Sequence, residues 1–192
     1  MGDVQIPDKI SPEIGWRVWL VVAHDGHDLR LHSAVQAKVA WEPRAELRAE
    51  CRRLPTPGVF SGAPSTHAAP SEACGTGGGH GCGIYAASTR EACLQFLKGA
   101  YSPARVAGDS VVHRVLGRVA LWGKVIEAER GWRAEIAYPV DIWVPRLRYA
   151  SSGANVGELQ APGLPVESIA AGLALYGVPV LLADADEQPL AA

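Results

Sequence analysis

The stretch Val111–Val144 reads VVHRVLGRVALWGKVIEAERGWRAEIAYPVDIWV and has the strongest β-strand signal in the chain. Valine, isoleucine and tryptophan recur through it, and these residue types favour a pleated, half-buried surface. Short β-rich runs are separated by Gly117, by Gly123 and by a turn at Glu129-Arg130-Gly131. Because glycines inside strands are typical of bulges and sharp bends, the stretch predicts a sheet that curls toward a barrel.

Further strands are predicted on both sides of this stretch. Gly15–Ala23 (GWRVWLVVA) is rich in tryptophan and valine, and the Asp25-Gly26 pair after it favours a hairpin turn. Ala45–Cys51 is compatible with either a strand or a short helix. The other predicted strands are Leu29–Val35 as the return of the hairpin, Val39–Trp41, Ile84–Ala87 and Val178–Ala183, the last as a strand or an extended tail.

Two segments have the signals of helices. Ser88 and Glu91 have the spacing of a capping box, which predicts a helix that continues to about Gly99. Pro165–Tyr176 predicts a small second helix, and Gly177 lies where a helix commonly ends in the left-handed conformation.

Residues 51–83 form a loop that combines metal-ligating residues with many glycines and prolines. A loop of this length inside a compact domain is uncommon without a staple, and a bound metal ion supplies one. Thiolate and imidazole groups are the ligands of tetrahedral zinc sites. The zinc ligands predicted from the residues are Cys51, Cys74 and Cys82 together with a histidine, either His67 or His80.

The same loop permits other interpretations. If Cys51 and Cys82 are only small buried residues, the loop holds no metal. Four protein ligands would make a closed structural site, whereas a water at an open position would make the site hydrolytic, with Glu72 as the acidic residue of the loop that could assist. Cys93 lies on the apolar face of the first predicted helix, which favours a core cysteine.

The composition fits one globular domain, or one domain with an appendage. The chain has 192 residues, 48% of them hydrophobic, and a net charge of −2, so nothing in its overall charge attracts nucleic acid or anionic membranes. Its apolar stretches are far shorter than the roughly 20 residues of a membrane span. The first residues also lack the layout of a signal peptide, and we therefore expect a cytoplasmic protein.

Aromatic and basic residues around the Val111–Val144 stretch predict a ligand surface. Tryptophan is large and seldom wholly buried, and an aromatic face with basic edges suits a base and its phosphate. The residues predicted to bind a nucleic acid or a nucleotide-like ligand are Trp122, Trp132, Arg118, His113 and Arg133. The alternative is that the tryptophans fill the core and that His113 makes a structural hydrogen bond.

Two motifs resemble a family of uncharacterised bacterial proteins that is common in actinobacteria. One is the pattern His67-x-x-Pro70-x-x-x-Cys74 followed by CGIYA from Cys82, and the other is VLGRVALWGKVIEAERGWRAEIAYP, which ends at Pro139. In that family the two cysteines lie closer together, as CxCGIYA, so the GTGGGHG segment of this chain is an insertion. The resemblance therefore implies that His80 is dispensable and that His67 completes the ligand set with Cys51, Cys74 and Cys82. It implies no established activity.

The fold class predicted from these features is α+β. We expect a bent, mostly antiparallel sheet or a small open β-barrel, with two or three helices and a zinc-tied loop. The arrangement is analogous to PUA-like readers of modified bases or RNA, an analogy at the level of fold alone. The predicted organisation is a leader at residues 1–14, a β-rich core domain at 15–148 that includes the loop at 51–83, and a linker, short helix and C-terminal strand or tail at 149–192.

The predicted function is that of a zinc-stabilised, non-enzymatic binding module for nucleic acid or a nucleotide-like ligand. A small zinc-dependent hydrolase and an adaptor that docks a protein partner through exposed tryptophans are the alternatives. No membrane partner is expected, and the sequence does not predict the oligomeric state.

Overall fold

A nine-stranded sheet dominates the computed structural model, which describes residues 11–24, 28–36, 38–51, 67–72, 74, 81–98, 110–146 and 164–183. The strands are β1 (Glu13–His24), β2 (Asp28–Ser33), β3 (Ala40–Trp41), β4 (Leu47–Arg48), β5 (Ile84–Ala87), β6 (Ser110–Ala128), β7 (Gly131–Pro139), β8 (Ile142–Pro145) and β9 (Val180–Ala183). The helices are α1 (Arg90–Lys98) and α2 (Val166–Leu173), and a 3-10 turn at Ala174–Tyr176 extends the second one.

The sheet is mixed and bends into a partial ring. Its order is β3-β2-β1-β5-β7-β6-β8-β9, with β4 paired to β7 and an additional pairing of β1 with β6. Strands β1, β5, β7 and β6 therefore pair in a cycle, while the outer strands extend beyond it. All pairs are antiparallel except β8 with β9. The α+β class and the bent, mostly antiparallel sheet are thus confirmed, although the sheet is not a clear barrel.

The glycines of the central stretch lie inside one strand and do not separate several. Strand β6 runs for 19 residues through both Gly117 and Gly123. At Gly123, where φ is +72°, the pairing with β7 shifts register between Trp122 and Val125. At Gly117 a Cβ atom would lie 2.1 Å from the carbonyl oxygen of Asp141. The bulge predicted from glycines inside the strands is therefore confirmed at Gly123, and Gly117 provides a close backbone approach. The runs that these glycines divide belong to one continuous strand.

The N-terminal hairpin forms as predicted. Strands β1 and β2 pair from Trp19 opposite Ser33 to His24 opposite Asp28, and β3 adds to β2. The Asp25-Gly26 turn lies outside the described residues. Within Ala45–Cys51, the two residues of β4 pair with β7, so the strand alternative is confirmed for this part.

The main core lies on one face of the sheet, and the C-terminal helix fills part of it. Ile169 and Leu173 of α2 have no exposed surface, and they pack in one cluster with residues of β1, β2 and β6. The Tyr176 hydroxyl accepts a hydrogen bond from the Leu31 amide and donates one to the Trp41 carbonyl. Gly177, at φ +71°, ends the 3-10 turn, as predicted, and β9 then pairs with β8. Residues 149–163 and 184–192 lie outside the described part.

Helix α1 covers the opposite face of the sheet. Its first turn is capped by Thr89, whose hydroxyl accepts the Ala92 amide at 3.2 Å, so the prediction that Ser88 begins a capping box was wrong by one residue. Cys93 is 3% exposed and packs in a cluster that includes Leu116 and Trp143, which confirms it as a core cysteine. Burial raises the pKa of the Cys93 thiol to about 12. Of the helices in the described ranges, none is long and apolar enough to cross a membrane.

Candidate metal centre

The four residues predicted as zinc ligands lie together. The ligand atoms of Cys51, His67, Cys74 and Cys82 are all within 4.8 Å of one another. The Cys51 and Cys74 sulfurs are 3.9 Å apart, and Nε2 of His67 lies 3.3 Å from the Cys82 sulfur. All three cysteines are free thiols. His80 lies outside the described residues, so the structure assigns the histidine position to His67 among the residues that it describes.

These separations match a tetrahedral metal site. With Zn–S bonds of about 2.3 Å and Zn–N bonds of about 2.1 Å, two sulfurs lie about 3.8 Å apart and a sulfur and a nitrogen about 3.6 Å apart. The observed 3.9 Å and 3.3 Å are each within about 0.3 Å of those values. The cluster can therefore accept an ion after shifts of a few tenths of an ångström in these two pairs.

Strand β7 brings the two ends of the loop together. Strand β4 pairs with β7 at Ala137 and Ile136, and the Ala49 amide continues the ladder with a bond of 2.7 Å to the Glu135 carbonyl. Strand β5 begins beside Ala134, the next position along β7. Because β6 occupies the other edge of β7, β4 and β5 lie end to end along one edge. Cys51 follows the first of these strands and Cys82 precedes the second, so both reach their junction.

A backbone amide and an arginine hold the segment around Cys82. The Ser71 amide donates to the Cys82 sulfur at 3.3 Å, and Nη1 of Arg133 donates to the Cys82 carbonyl at 3.1 Å. Gly83 has φ +124°, and a Cβ atom there would lie 3.0 Å from Pro70. A glycine is therefore required for Cys82 to pass this close to the segment that contains His67.

The electrostatic environment of Cys82 disfavours a thiolate in the absence of a cation. Burial raises the pKa of the Cys82 thiol, the neighbouring Cys74 and Cys51 raise it further, and the hydrogen bond from Ser71 opposes them. A metal ion acts in the opposite direction because its positive charge stabilises coordinated thiolates. The arrangement of three thiols and an imidazole is thus chemically suited to a cation.

No carboxylate of the described residues joins the cluster. Glu72, the acidic residue that a hydrolytic site would use, is exposed and does not belong to the group of close ligand atoms. Four protein ligands leave no open position in a tetrahedral site. The geometry accordingly favours a closed structural centre.

The basic residues predicted as a ligand surface have protein partners in the structure. Nε and Nη2 of Arg118 both lie 2.6 Å from the Asp141 carboxylate. His113 is 6% exposed, and its Nε2 lies 2.9 Å from the Pro145 carbonyl oxygen, the structural bond that was the alternative prediction. Arg133 contacts the metal loop through the Cys82 carbonyl. Each of these side chains therefore has a structural role beside any role in binding.

The tryptophans divide into core and partly buried residues. Trp19, Trp41 and Trp143 are between 0% and 4% exposed, so the alternative prediction of tryptophans in the core is confirmed for them. Trp122 and Trp132 are half-buried, and Trp132 packs against the main core. The ring contacts among the described residues do not include a contact between these two. The structure therefore does not bring them together as one stacking site.

One polar residue of potential functional importance was missed in the sequence. Arg17 lies inside the apolar run of β1, and its guanidinium carbon is 5.1 Å from the centre of the Trp41 ring. A cation between tryptophans and valines in a predicted buried strand was the available signal, because such a residue is seldom buried without a partner.

Compared with known proteins, the chain matches no family model, no curated protein and no solved structure at a significant level. The resemblance to the actinobacterial family and the analogy to PUA-like folds therefore remain predictions. The functional interpretation depends on the geometry of the site itself.

Proposed function

We propose that this protein is a zinc-stabilised, non-enzymatic binding module whose Cys51, His67, Cys74 and Cys82 hold a structural zinc ion. The observation that carries the proposal is the convergence of four ligand atoms within 4.8 Å from chain positions far apart in sequence. Soft thiolates with one imidazole in a tetrahedral arrangement favour zinc over magnesium, calcium or manganese.

The role of the zinc ion would be to hold the loop against the sheet. The four ligands come from the end of the β4 segment, from the loop itself and from the start of the β5 segment. Of the loop residues that the structure describes, Ala69, Pro70 and Cys74 are buried, which is little apolar surface for a long connection. Metal coordination supplies the folding free energy that such a segment lacks.

Metal analysis of matched cysteine variants tests this proposal. We expect about one zinc per chain in the purified protein, because the site has a complete set of protein ligands. Cys82→Ser should lose the metal, whereas Cys93→Ala, which removes the core thiol on the other face of the sheet, should retain it. Wild-type protein with fully reduced thiols that neither contains zinc nor takes it up would contradict the proposal.

The finer part of the proposal is a nucleic acid or nucleotide-like ligand at the partly exposed residues of the predicted set, Trp122, Trp132, Arg118 and Arg133, without the buried His113. Its support is the partial exposure of both tryptophans and the 48% exposure of the Arg118 side chain. Binding of a fluorescent single-stranded oligonucleotide should weaken with added salt and with Arg118→Gln, since phosphate contacts release counterions. Arg146→Gln, at another exposed arginine, serves as the control. Equal affinity of the wild type, Arg118→Gln and Arg146→Gln for the oligonucleotide would contradict this part of the proposal.

A further inference from the structure

Strand β1 has a gap in its pairing on one edge. Its other edge is occupied by β6 along nearly the whole strand. On the opposite edge of β1, Trp16 pairs with Ala87 of β5, and the pairing with β2 begins only at Trp19, which lies opposite Ser33. Arg17 and Val18 lie between these two partners, and we call this interval the β1 notch.

The side chain of Arg17 spans the β1 notch. Nη1 donates to the Tyr85 carbonyl on β5, and Nη2 donates to the Ser33 hydroxyl on β2 at 3.1 Å. The guanidinium also lies over the ring of Trp41, 5.1 Å from its centre. The group is thereby held in one orientation, with an aromatic face on one side.

The groups around the notch are rich in unused donors. The Ser33 oxygen accepts from Arg17 and also from Nε1 of Trp41 at 3.2 Å, which occupies both of its lone pairs. With both lone pairs occupied, the hydroxyl of Ser33, which is 4% exposed, can interact with a further group only as a donor. Nε of Arg17 is buried without a hydrogen-bond partner, and each terminal nitrogen keeps a second N–H. Hydroxyl and guanidinium donors therefore converge at the β1 notch.

Arg17 has no carboxylate partner among the described residues, as is also true of Arg44 and Arg133. Arg17 differs from these two in the effect of burial on its charge. Burial lowers the pKa of Arg17 to about 10, and the Cys93 thiol opposes this shift. A half-buried cation without a counter-charge is costly, and an anion in its place removes that cost.

We propose that the β1 notch is a binding site for an oxyanion, the carboxylate or phosphoryl group of a small ligand. The planar fork of Arg17 matches two oxygens of such a group, and the Ser33 hydroxyl supplies a further donor. Trp41 provides an aromatic surface beneath the guanidinium. The site shares none of its residues with the metal centre or with the surface predicted around Trp122.

Titration followed by NMR tests the site with simple probes. Inorganic phosphate and acetate would be added separately at constant ionic strength, and the side-chain signals of Arg17 Nε–H and Trp41 Nε1–H would be observed. We expect at least one of the two anions to shift both signals saturably. Saturation by phosphate alone would identify a phosphoryl ligand, and saturation by acetate alone a carboxylate ligand.

Three variants separate the notch from general charge effects. Arg17→Met should abolish the saturable shift at Trp41, and Ser33→Ala should weaken binding by about tenfold or more, as expected for loss of one hydrogen bond to a charged group. Arg146→Met, at an exposed arginine, should bind like the wild type. If Arg17→Met fails to fold, the titrations of the wild type and of Ser33→Ala still test whether the β1 notch binds an oxyanion. Shifts that match those of sodium chloride, or an equal loss in Arg146→Met, would overturn the proposal.

Discussion

The paired strands β1 and β6 and the metal loop of residues 51–83 are stabilised in different ways. In the strands, Trp19, Val21, Val115, Val119 and Leu121 have no exposed surface and belong to one apolar cluster. In the loop, Cys51, His67 and Cys82 are only partly buried, and their ligand atoms lie within 4.8 Å of one another and of the Cys74 sulfur. One region is held by many apolar contacts, whereas the other depends on a few polar atoms that converge on one point.

From this difference we infer that the loop, and not the sheet, depends on the proposed metal ion. Burial of apolar side chains is distributed over the sheet, so it survives small chemical changes. A cluster of three thiols and an imidazole lacks such redundancy, and the proposed cation at its centre would supply the missing stability. We therefore expect the sheet to remain folded when the metal is removed and the loop to lose its order.

The largest loss of stability should result from substitution of a buried tryptophan in strand β1. Trp19 has no exposed surface and packs edge-on against Trp41 at 5.5 Å. Trp19→Ala should lower the free energy of unfolding by about 3–5 kcal/mol, measured by urea denaturation, because it leaves a large cavity. Trp122→Ala, at a half-buried position, should cost clearly less. Equal losses of unfolding free energy in the two variants would contradict the claim that apolar burial in β1 stabilises the sheet.

The next largest loss of stability should result from removal of the ion pair between Asp141 and Arg118. Asp141 is 3% exposed and accepts bonds from the Arg118 amide at 2.8 Å and from its guanidinium at 2.6 Å. Asp141→Asn should cost about 2 kcal/mol, less than for a fully buried pair because Arg118 is half-exposed and can be hydrated. The exposed pair of Arg146 and Glu167, 4.0 Å apart, is the control, and Arg146→Gln should change stability by less than about 0.5 kcal/mol.

The pH dependence of stability should reveal the buried thiol of Cys93. Its pKa is raised in the folded state from 9.0 to about 12, so the protonated thiol stabilises the fold fully below pH 9. That contribution is lost as the pH rises from 9 to about 12, at up to about 1.4 kcal/mol per pH unit. Denaturation at a series of pH values should show this slope in the wild type and a reduced slope in Cys93→Ala. Identical slopes would show that Cys93 does not titrate in this way.

The smallest of these effects concerns the start of α1. Thr89→Ala removes the hydroxyl that accepts the Ala92 amide and should cost about 1 kcal/mol. Ser88→Ala changes the neighbouring hydroxyl, which is also exposed, and should leave thermal unfolding nearly unchanged. A larger loss of thermal stability in Ser88→Ala than in Thr89→Ala would show that Ser88 caps the helix, as predicted from the sequence.

The sequence predicted the strands well where the signal is local. Runs such as GWRVWLVVA have a composition that suits a strand in almost any context. The bulge at Gly123 could be predicted because a glycine inside a β-rich run is typical of one, but the sequence does not show that β6 continues through both Gly117 and Gly123. The choice between Ser88 and Thr89 as helix cap likewise depends on one residue of register, which propensity does not resolve.

The cluster of Cys51, His67, Cys74 and Cys82 could be predicted because cysteine and histidine together are typical of tetrahedral metal sites. The position of these residues beside one another could not be predicted from the sequence. It depends on the pairing of β4 and β5 with the same edge of β7, and this pairing joins segments far apart in the chain. Arg118 and Arg133 were predicted to face a ligand because the sequence shows their charge but not their partners. Arg17 was overlooked for the same reason, since its position at a gap between β5 and β2 exists only in the folded sheet.

Hydrogen–deuterium exchange with and without a metal chelator tests the central claim most directly. We expect amides of residues 67–72 and 81–83 to exchange at least about tenfold faster after the metal is removed, while those of β1 and the β1-paired part of β6 keep their protection. Such a result would show that coordination holds the loop and apolar burial holds the sheet. Unchanged exchange in the loop, or an equal loss of protection in β1, would contradict this conclusion.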